Sequence, residues 1–376
     1  MRSLSTLVLF VATLGLPALV YGKSVDIGPL SLGNSSRHTG LRINARDDGV
    51  KEVRGINFTL WKAKQNKRAH LDGIALGIVG PEAGHIRGIA LGGAQVVAHK
   101  DLSGIALGGV GAGAGKNLKG AAVGLIGAGV GGDAKGLLLG GVGAGAGENL
   151  SGISAGLIGV GIGENLTGLA IGGVGVGVGE NMLGAALSPI AAGAGGNAKG
   201  ILIGGVGAGV GGDLTGLAAS IIGTGVGGSA RAILIGGVGA GVGEDFTGLG
   251  IGGIGIGAGG SIKGITLGGI GVGAGESIQG ITVGLGGVRA EDTISGGTAS
   301  IVSIGAREIR GIAISALNGM VFEDYWFRRR NERTVGIELG LFNYAPELKG
   351  LQFGLLNYAG NNPRWARLLP FVNLHL

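Results

Sequence analysis

From Gly88 to Ser295 the chain repeats every sixteen residues, thirteen times, without an insertion. Glycine opens each repeat, at Gly88, Gly104, Gly120, Gly136 and onward to Gly280, with Ala232 the one replacement in that series. A fixed period of this kind builds one supersecondary piece per repeat, and each piece buries itself against its neighbours. A typical repeat is Gly136–Ser151, GLLLGGVGAGAGENLS. Its apolar residues alternate with period two, which points to strand and not helix. Glycine makes up 92 of the 376 residues, against a usual ~7%. At ~1 kcal/mol per glycine relative to alanine, an ordinary helical enzyme is excluded. Only seven prolines are present, so collagen is excluded as well.

Within a repeat the apolar parity flips. Leu137 and Leu139 share one parity, while Val142, Ala144 and Ala146 share the other, with Gly140-Gly141 between them. This predicts a corner at the Gly-Gly pair, where glycine takes unusual dihedrals and both strands still aim inward. Large Leu and Ile of the first strand would then face small Ala and Val of the second. The fourteenth position reads Asp101, Asn117, Asp133, Asn149, Asn165, Asn181, Asn197, Asp213, Ser229, all turn formers. No two aspartates fall in consecutive repeats, which suits a stack where equivalent residues sit ~4.8 Å apart. Glu148, Glu164 and Glu180 do fall in consecutive repeats and count mildly against a simple stack. Between Gly104 and Gly287 every charged residue lies in the last four positions of its repeat. One edge is therefore wet, and the faces are apolar or bare.

Two architectures satisfy this pattern. The favoured one is all-β, a glycine-rich β-solenoid with one sixteen-residue repeat per coil. The alternative is an outer-membrane antiparallel β-barrel with one repeat per strand. A 32-residue superperiod supports the barrel: GLLLGGVG and GLAIGGVG alternate with GISAGLIG and GLAASIIG. Val372, Leu374 and Leu376 also alternate as a last barrel strand would. Short turns throughout and the lack of a polar row favour the solenoid.

The chain divides into four parts. Residues 1–22 read as a signal peptide: a basic start at Arg2, an apolar run over Leu7–Val20 and a cleavage site near Gly22. Residues 23–72 form an irregular cap with strand-like pieces at Gly40–Ala45 and Gly55–Trp61. Residues 73–310 are the glycine-rich repeats, and 311–376 are a looser repeat and cap with a period-breaking loop at 318–333.

Little in the sequence points to chemistry. With no cysteine there are no disulfides or zinc-thiolate sites. Gly141–Gly147 resembles a dinucleotide fingerprint superficially, but it recurs in nearly every repeat with no helix after it. Calcium along Glu148, Glu164 and Glu180 is weaker than the plain reading, a solvated edge. His38, His70, His85, His99 and His375 have no carboxylate or serine at a telling spacing. No catalytic, cofactor-binding or metal residue is therefore expected. A net charge of +6 is modest for this length and gives no sign of nucleic-acid binding. One anion site is a candidate: Tyr325 and Trp326 beside Arg328, Arg329 and Arg330, aromatics and bidentate donors suited to phosphate or sugar groups such as those of lipopolysaccharide. A capping loop with a solvated basic rim is the plainer reading.

The C-terminal stretch GIELGLFNYA, Gly336–Ala345, recurs as GLQFGLLNYA, Gly350–Ala359, followed by Leu368-Leu-Pro-Phe-Val-Asn373. This pattern resembles the leptospiral-type bacterial surface-repeat family of glycine-rich proteins. The resemblance implies an envelope-associated protein and supplies no catalytic residues. The combined expectation is an exported, non-enzymatic structural protein at the outer membrane or cell surface, contacting membrane or an envelope component, or copies of itself.

Overall fold

The computed structural model describes residues 23–323 and 326–376; the expected signal peptide at 1–22 lies outside the described residues. The fold is a β-solenoid of about 20 turns of roughly 16 residues. Consecutive coils pair in parallel and in register, so that Leu150 stands beside Ala134 on one side and Leu166 on the other. The antiparallel barrel is thereby excluded, because up-and-down hairpins would reverse each neighbouring strand. Antiparallel pairing is confined to three hairpins among the described residues: Ser24–Ile27 with Leu30–Gly33, Met320–Glu323 with Trp326–Arg329, and Glu347–Ala359 with Leu368–His375. The alternation at Val372 and Leu374 belongs to the last of these. The chain forms two compact units that divide between Ser188 and Pro189.

In the first unit each coil has a seven-residue strand, such as Ala134–Gly140, and a four-residue strand, such as Gly143–Ala146. On the long strand the first and fifth residues point inward: Leu118 with Ala122, Ala134 with Leu138, Leu150 with Ser154, Leu166 with Ala170. On the short strand Ala144 and Ala146 point inward, as the parity predicted, but Val142, assigned to the same inward set, is exposed at the corner. The long-strand parity is the reverse of the prediction. Leu138, not Leu137 and Leu139, enters the core, and the equivalents of the flanking pair, Ile105 and Leu107, are exposed.

The reason is that the unusual backbone is not at the Gly-Gly corner. It is at the glycine that opens each repeat: φ is +130° at Gly120, +126° at Gly136, +140° at Gly152 and +134° at Gly168. That conformation is open to glycine and costly for other residues. A Cβ there would also overlap the carbonyl oxygen of the glycine one coil earlier. At the corner, Gly140 and Gly141 are needed because a Cβ would strike the carbonyl oxygens of Gly143 and Leu125. The column reaches back through Gly88 and Gly73 to Gly55 and Gly40, within the strands Glu52–Lys64 and Arg37–Asp48.

The first coils of this unit replace apolar core with a polar cluster. Arg42 and Asp47 are fully buried and paired at 2.6 Å. Arg42 also donates to Asn57 Oδ1 at 2.7 Å and to Asn34 Oδ1 at 2.9 Å, while Asn57 and Asn44 donate to the Asp47 carboxylate. Every lone pair of a buried charge pair must be met in this way for the pair to be tolerated.

The second unit repeats the scheme with Ala198 and Leu202, Leu214 and Ala218, Ala230 and Leu234 inside. Large and small residues trade places within the coil. Where Phe246 enters, its partner is Gly250, whose Cβ would lie 2.9 Å from the phenyl ring. The two inward positions thus share one volume, and each coil fills it once.

The last coils of this unit are again polar inside. The recurring Asn-Tyr-Ala becomes three stacked rows: Asn318 donates to Asn343 at 2.7 Å and Asn343 to Asn357 at 2.6 Å, Tyr344 stacks on Tyr358 at 5.1 Å, and Ala345 and Ala359 are buried. Glu338 is buried, and it accepts from Gln352 at 2.7 Å and from Thr334 at 2.8 Å. Burial pushes its carboxyl up to about 7, although both hydrogen bonds oppose the shift. A carboxyl raised on folding binds its proton more tightly in the native state. Its stabilising effect is complete below the unfolded pKa and is lost as pH rises towards 7. Stability of this unit is therefore expected to fall by about 3 kcal/mol between pH ~4.5 and ~7 on account of this group. Glu338→Gln should flatten that part of the profile in urea unfolding series, and an unchanged slope would contradict the assignment.

An uninterrupted period also fixes what deletions do. Removing Gly168–Leu183 takes out one whole coil and leaves every later residue in its column, so cooperative folding is expected to survive. Removing Gly168–Gly175 sets long strands against short ones and should abolish protease resistance. Equal resistance of the two deletions would contradict one repeat per coil.

Candidate contact surface

The reversed parity places the large side chains outside. On the long strands of the first unit, Ile105, Leu107, Ile153 and Ile171 point to solvent. At the following corner, Val110, Ile126, Val142, Ile158 and Val174 form a second exposed column, one residue per coil. From Leu102 to Gly172 the same face begins at each long strand with Ser103, Lys119, Lys135, Ser151 or Thr167, none of them an acid. The second unit has the same arrangement: Ile201, Ile203, Ile233, Ile265 and Leu267 on the strands, and Val206, Ile222, Val238, Ile254 and Ile270 at the corner. Its cationic margin is Lys199, Arg231 and Lys263. The short strands instead present glycine outward, and Gly129, Gly161, Gly209 and Gly225 have open space where a Cβ would stand.

The wet edge is a hydrogen-bonded ladder. Asn149 donates to Asp133 at 2.9 Å, Asn165 to Asn149 at 2.9 Å and Asn181 to Asn165 at 3.1 Å. Glu148, Glu164 and Glu180 do stack, their backbones bonded coil to coil at 3.0 and 2.9 Å, with the first and last exposed to water. Consecutive acids are therefore compatible with the stack.

Two histidines gain carboxylate partners. His85 Nδ1 lies 3.1 Å from Asp101, and His99 Nε2 lies 2.8 Å from Glu82. His85 also stacks on His70 at 4.6 Å. The spacing that reveals these pairs is one coil, sixteen or seventeen residues, not a local motif. Among the described residues no three His, Asp or Glu side chains converge as a metal site.

Of the anion-contact candidates, Tyr325 lies outside the described residues, as do the side chains of Trp326 and Arg328. The Arg329 guanidinium lies over the Tyr344 ring, 4.9 Å from its centre. Arg330 stands 3.4 Å from Glu291. Each of these two arginines thus already has a partner within its own unit. Neither a family model, nor a curated protein, nor a solved structure matches the chain.

The apolar columns were the feature that sequence reasoning missed. Their signal was present in the residue between each large pair: Ala106, Ala122, Ser154, Ala170 and Ala186 are small or polar at a position that has to share its volume with another inward residue.

Proposed function

We propose that this is an exported, non-enzymatic structural protein of the cell envelope, and that the outward Ile, Leu and Val columns are its working surface. The observation that carries the reading is the exposure of those columns, coil after coil, in a band that holds no charge between the wet edges. Folded monomers rarely leave more than ~300–600 Å² of contiguous apolar surface in water. Such a band requires an apolar partner. The apolar segment Leu7–Val20 and the surface-repeat motif at 336–359 support export and an envelope setting. In cells producing the chain, the protein should fractionate with the envelope and be released by detergent but not by high salt, because apolar contact is not screened by ions. Recovery as a monomer in the soluble fraction without detergent would contradict the proposal.

A second contact, to anionic groups, is proposed for the hairpin at 318–333. Changing Arg328, Arg329 and Arg330 to Ser should weaken adhesion to lipopolysaccharide most at low salt, measured with purified protein. Equal binding by the triple variant would leave Arg329 to Tyr344 and Arg330 to Glu291.

A further inference from the structure

The corner between the two strands alternates in relief along the first unit. It reads Gly108-Gly109-Val110, Gly124-Leu125-Ile126, Gly140-Gly141-Val142, Gly156-Leu157-Ile158, Gly172-Gly173-Val174. This is the origin of the 32-residue superperiod, since the parallel coils exclude a hairpin origin. Leu125 and Leu157 project farthest, 73% and 77% exposed. Between them, over the bare backbone of Gly141, lies an apolar pit of about 400 Å³, walled by Val123, Leu139 and Ile171. On the other side of Leu125, over Gly109, is a second pit of about 540 Å³, walled by Leu91 and Leu107. A Cβ at either glycine would overlap a carbonyl oxygen of the preceding coil, so in these coils glycine keeps the pits open.

Knobs recur every two coils, and so do pits, displaced by one coil. At ~4.8 Å per coil both have a period of ~10 Å. Two copies of this surface are therefore complementary to each other. A two-fold axis midway between the adjacent coils of Leu125 and Gly141 sets Leu125 of each copy over Gly141 of the other and, in the same operation, Leu157 over Gly109. This is an isologous contact, in which one patch meets itself. Positions 1 to 12 of these coils bring no charge to be buried. The exposed Leu, Ile and Val side chains from Ile105 to Val174 leave on the order of 1,000 Å² open, against the ~800 Å² per partner of a stable interface. A lipid surface would need the apolar area but not the matched relief.

We infer that the partner of the apolar corner is a second copy of this chain, paired antiparallel with Leu125 and Leu157 of each seated in the Gly141 and Gly109 pits of the other. The inference rests on the reading of the apolar band as the working surface, and it names that surface's partner.

The test uses the chain from Lys23 onward. Sedimentation should show a dimer. Leu125→Ser with Leu157→Ser should weaken dimerisation at least 100-fold while leaving far-UV circular dichroism unchanged, because both side chains project into solvent. The chain has no native cysteine, so Leu125→Cys mixed with Leu139→Cys should give a mixed disulfide more readily than Leu125→Cys mixed with Glu148→Cys. A wild-type monomer, or a double variant that dimerises as before, overturns the inference. If the monomer instead binds zwitterionic phosphatidylcholine vesicles and the double variant does not, self-pairing is overturned and the apolar-band reading stands. If it neither dimerises nor binds vesicles, both fall.

Discussion

Leu138→Ala should destabilise the first unit by about 2–5 kcal/mol, the usual cost of emptying a leucine from a packed core. Three observations place the effect in the upper part of that range. Leu138 is fully buried, the other inward residue that shares its volume, earlier on the same strand, is Ala134, and its column neighbours are Ala122 and Ser154. None of these can expand into the space. Ala134→Leu alone should also destabilise, by about 1–3 kcal/mol, because the shared volume is already full. The double variant, Ala134→Leu with Leu138→Ala, recreates the order found at Leu118 and Ala122 and should come within about 1.5 kcal/mol of wild type. Urea midpoints of the four proteins decide the matter. Additive losses would show that the two inward positions do not share one volume.

Two glycines of similar appearance are expected to behave oppositely. Gly168 has φ +134°, and a Cβ there would overlap the carbonyl oxygen of Gly152. Gly161, on the outer face of a short strand, has nothing within 4 Å of a Cβ. Gly168→Val should cost at least about 3 kcal/mol through forbidden backbone and coil separation together. Gly161→Val should be neutral or slightly stabilising, since valine suits a strand and glycine weakens one. Ala232 shows how a coil can dispense with its opening glycine: it is absent from the positive-φ residues, and its methyl is buried inside. A valine at 168 would bring two carbons more than that methyl into a coil that Leu166 and Ala170 already fill. Equal thermal midpoints for the two valine variants would refute this division of the glycines.

The period of sixteen and the alternation of strands were legible because each is a property of the sequence alone. So was the turn column, where Asp133 and Asn149 stack as their alternation suggested. The facing of the long strand was not legible. Leu137, Leu138 and Leu139 are chemically alike, and parity could be assigned only by knowing where the backbone leaves ordinary β geometry. Glycine occurs at so many positions that nothing in the string separates Gly136, which adopts φ +126°, from Gly140 and Gly141, which do not. The buried Arg42 cluster was hidden for a related reason. Asp47 lies five residues along the same strand and Asn57 beside Arg42 on the next one, fifteen residues on, at the irregular start of the stack where the sixteen-residue period does not yet hold. The candidate surface inherited this ambiguity, since residues assigned to the core are also the residues that form the contact face.

The central claim is that the outward apolar columns are covered when the protein is in place. Single cysteines test it directly, because the chain has none of its own. Leu157→Cys reports the exposed corner and Glu148→Cys the wet edge. With a membrane-impermeant maleimide applied to opened, detergent-free envelopes, the account predicts labelling at 148 and protection at 157, with protection at 157 lost on detergent extraction. Equal, rapid labelling of both positions before extraction would contradict it, because the apolar band would then stand bare in water where the protein works.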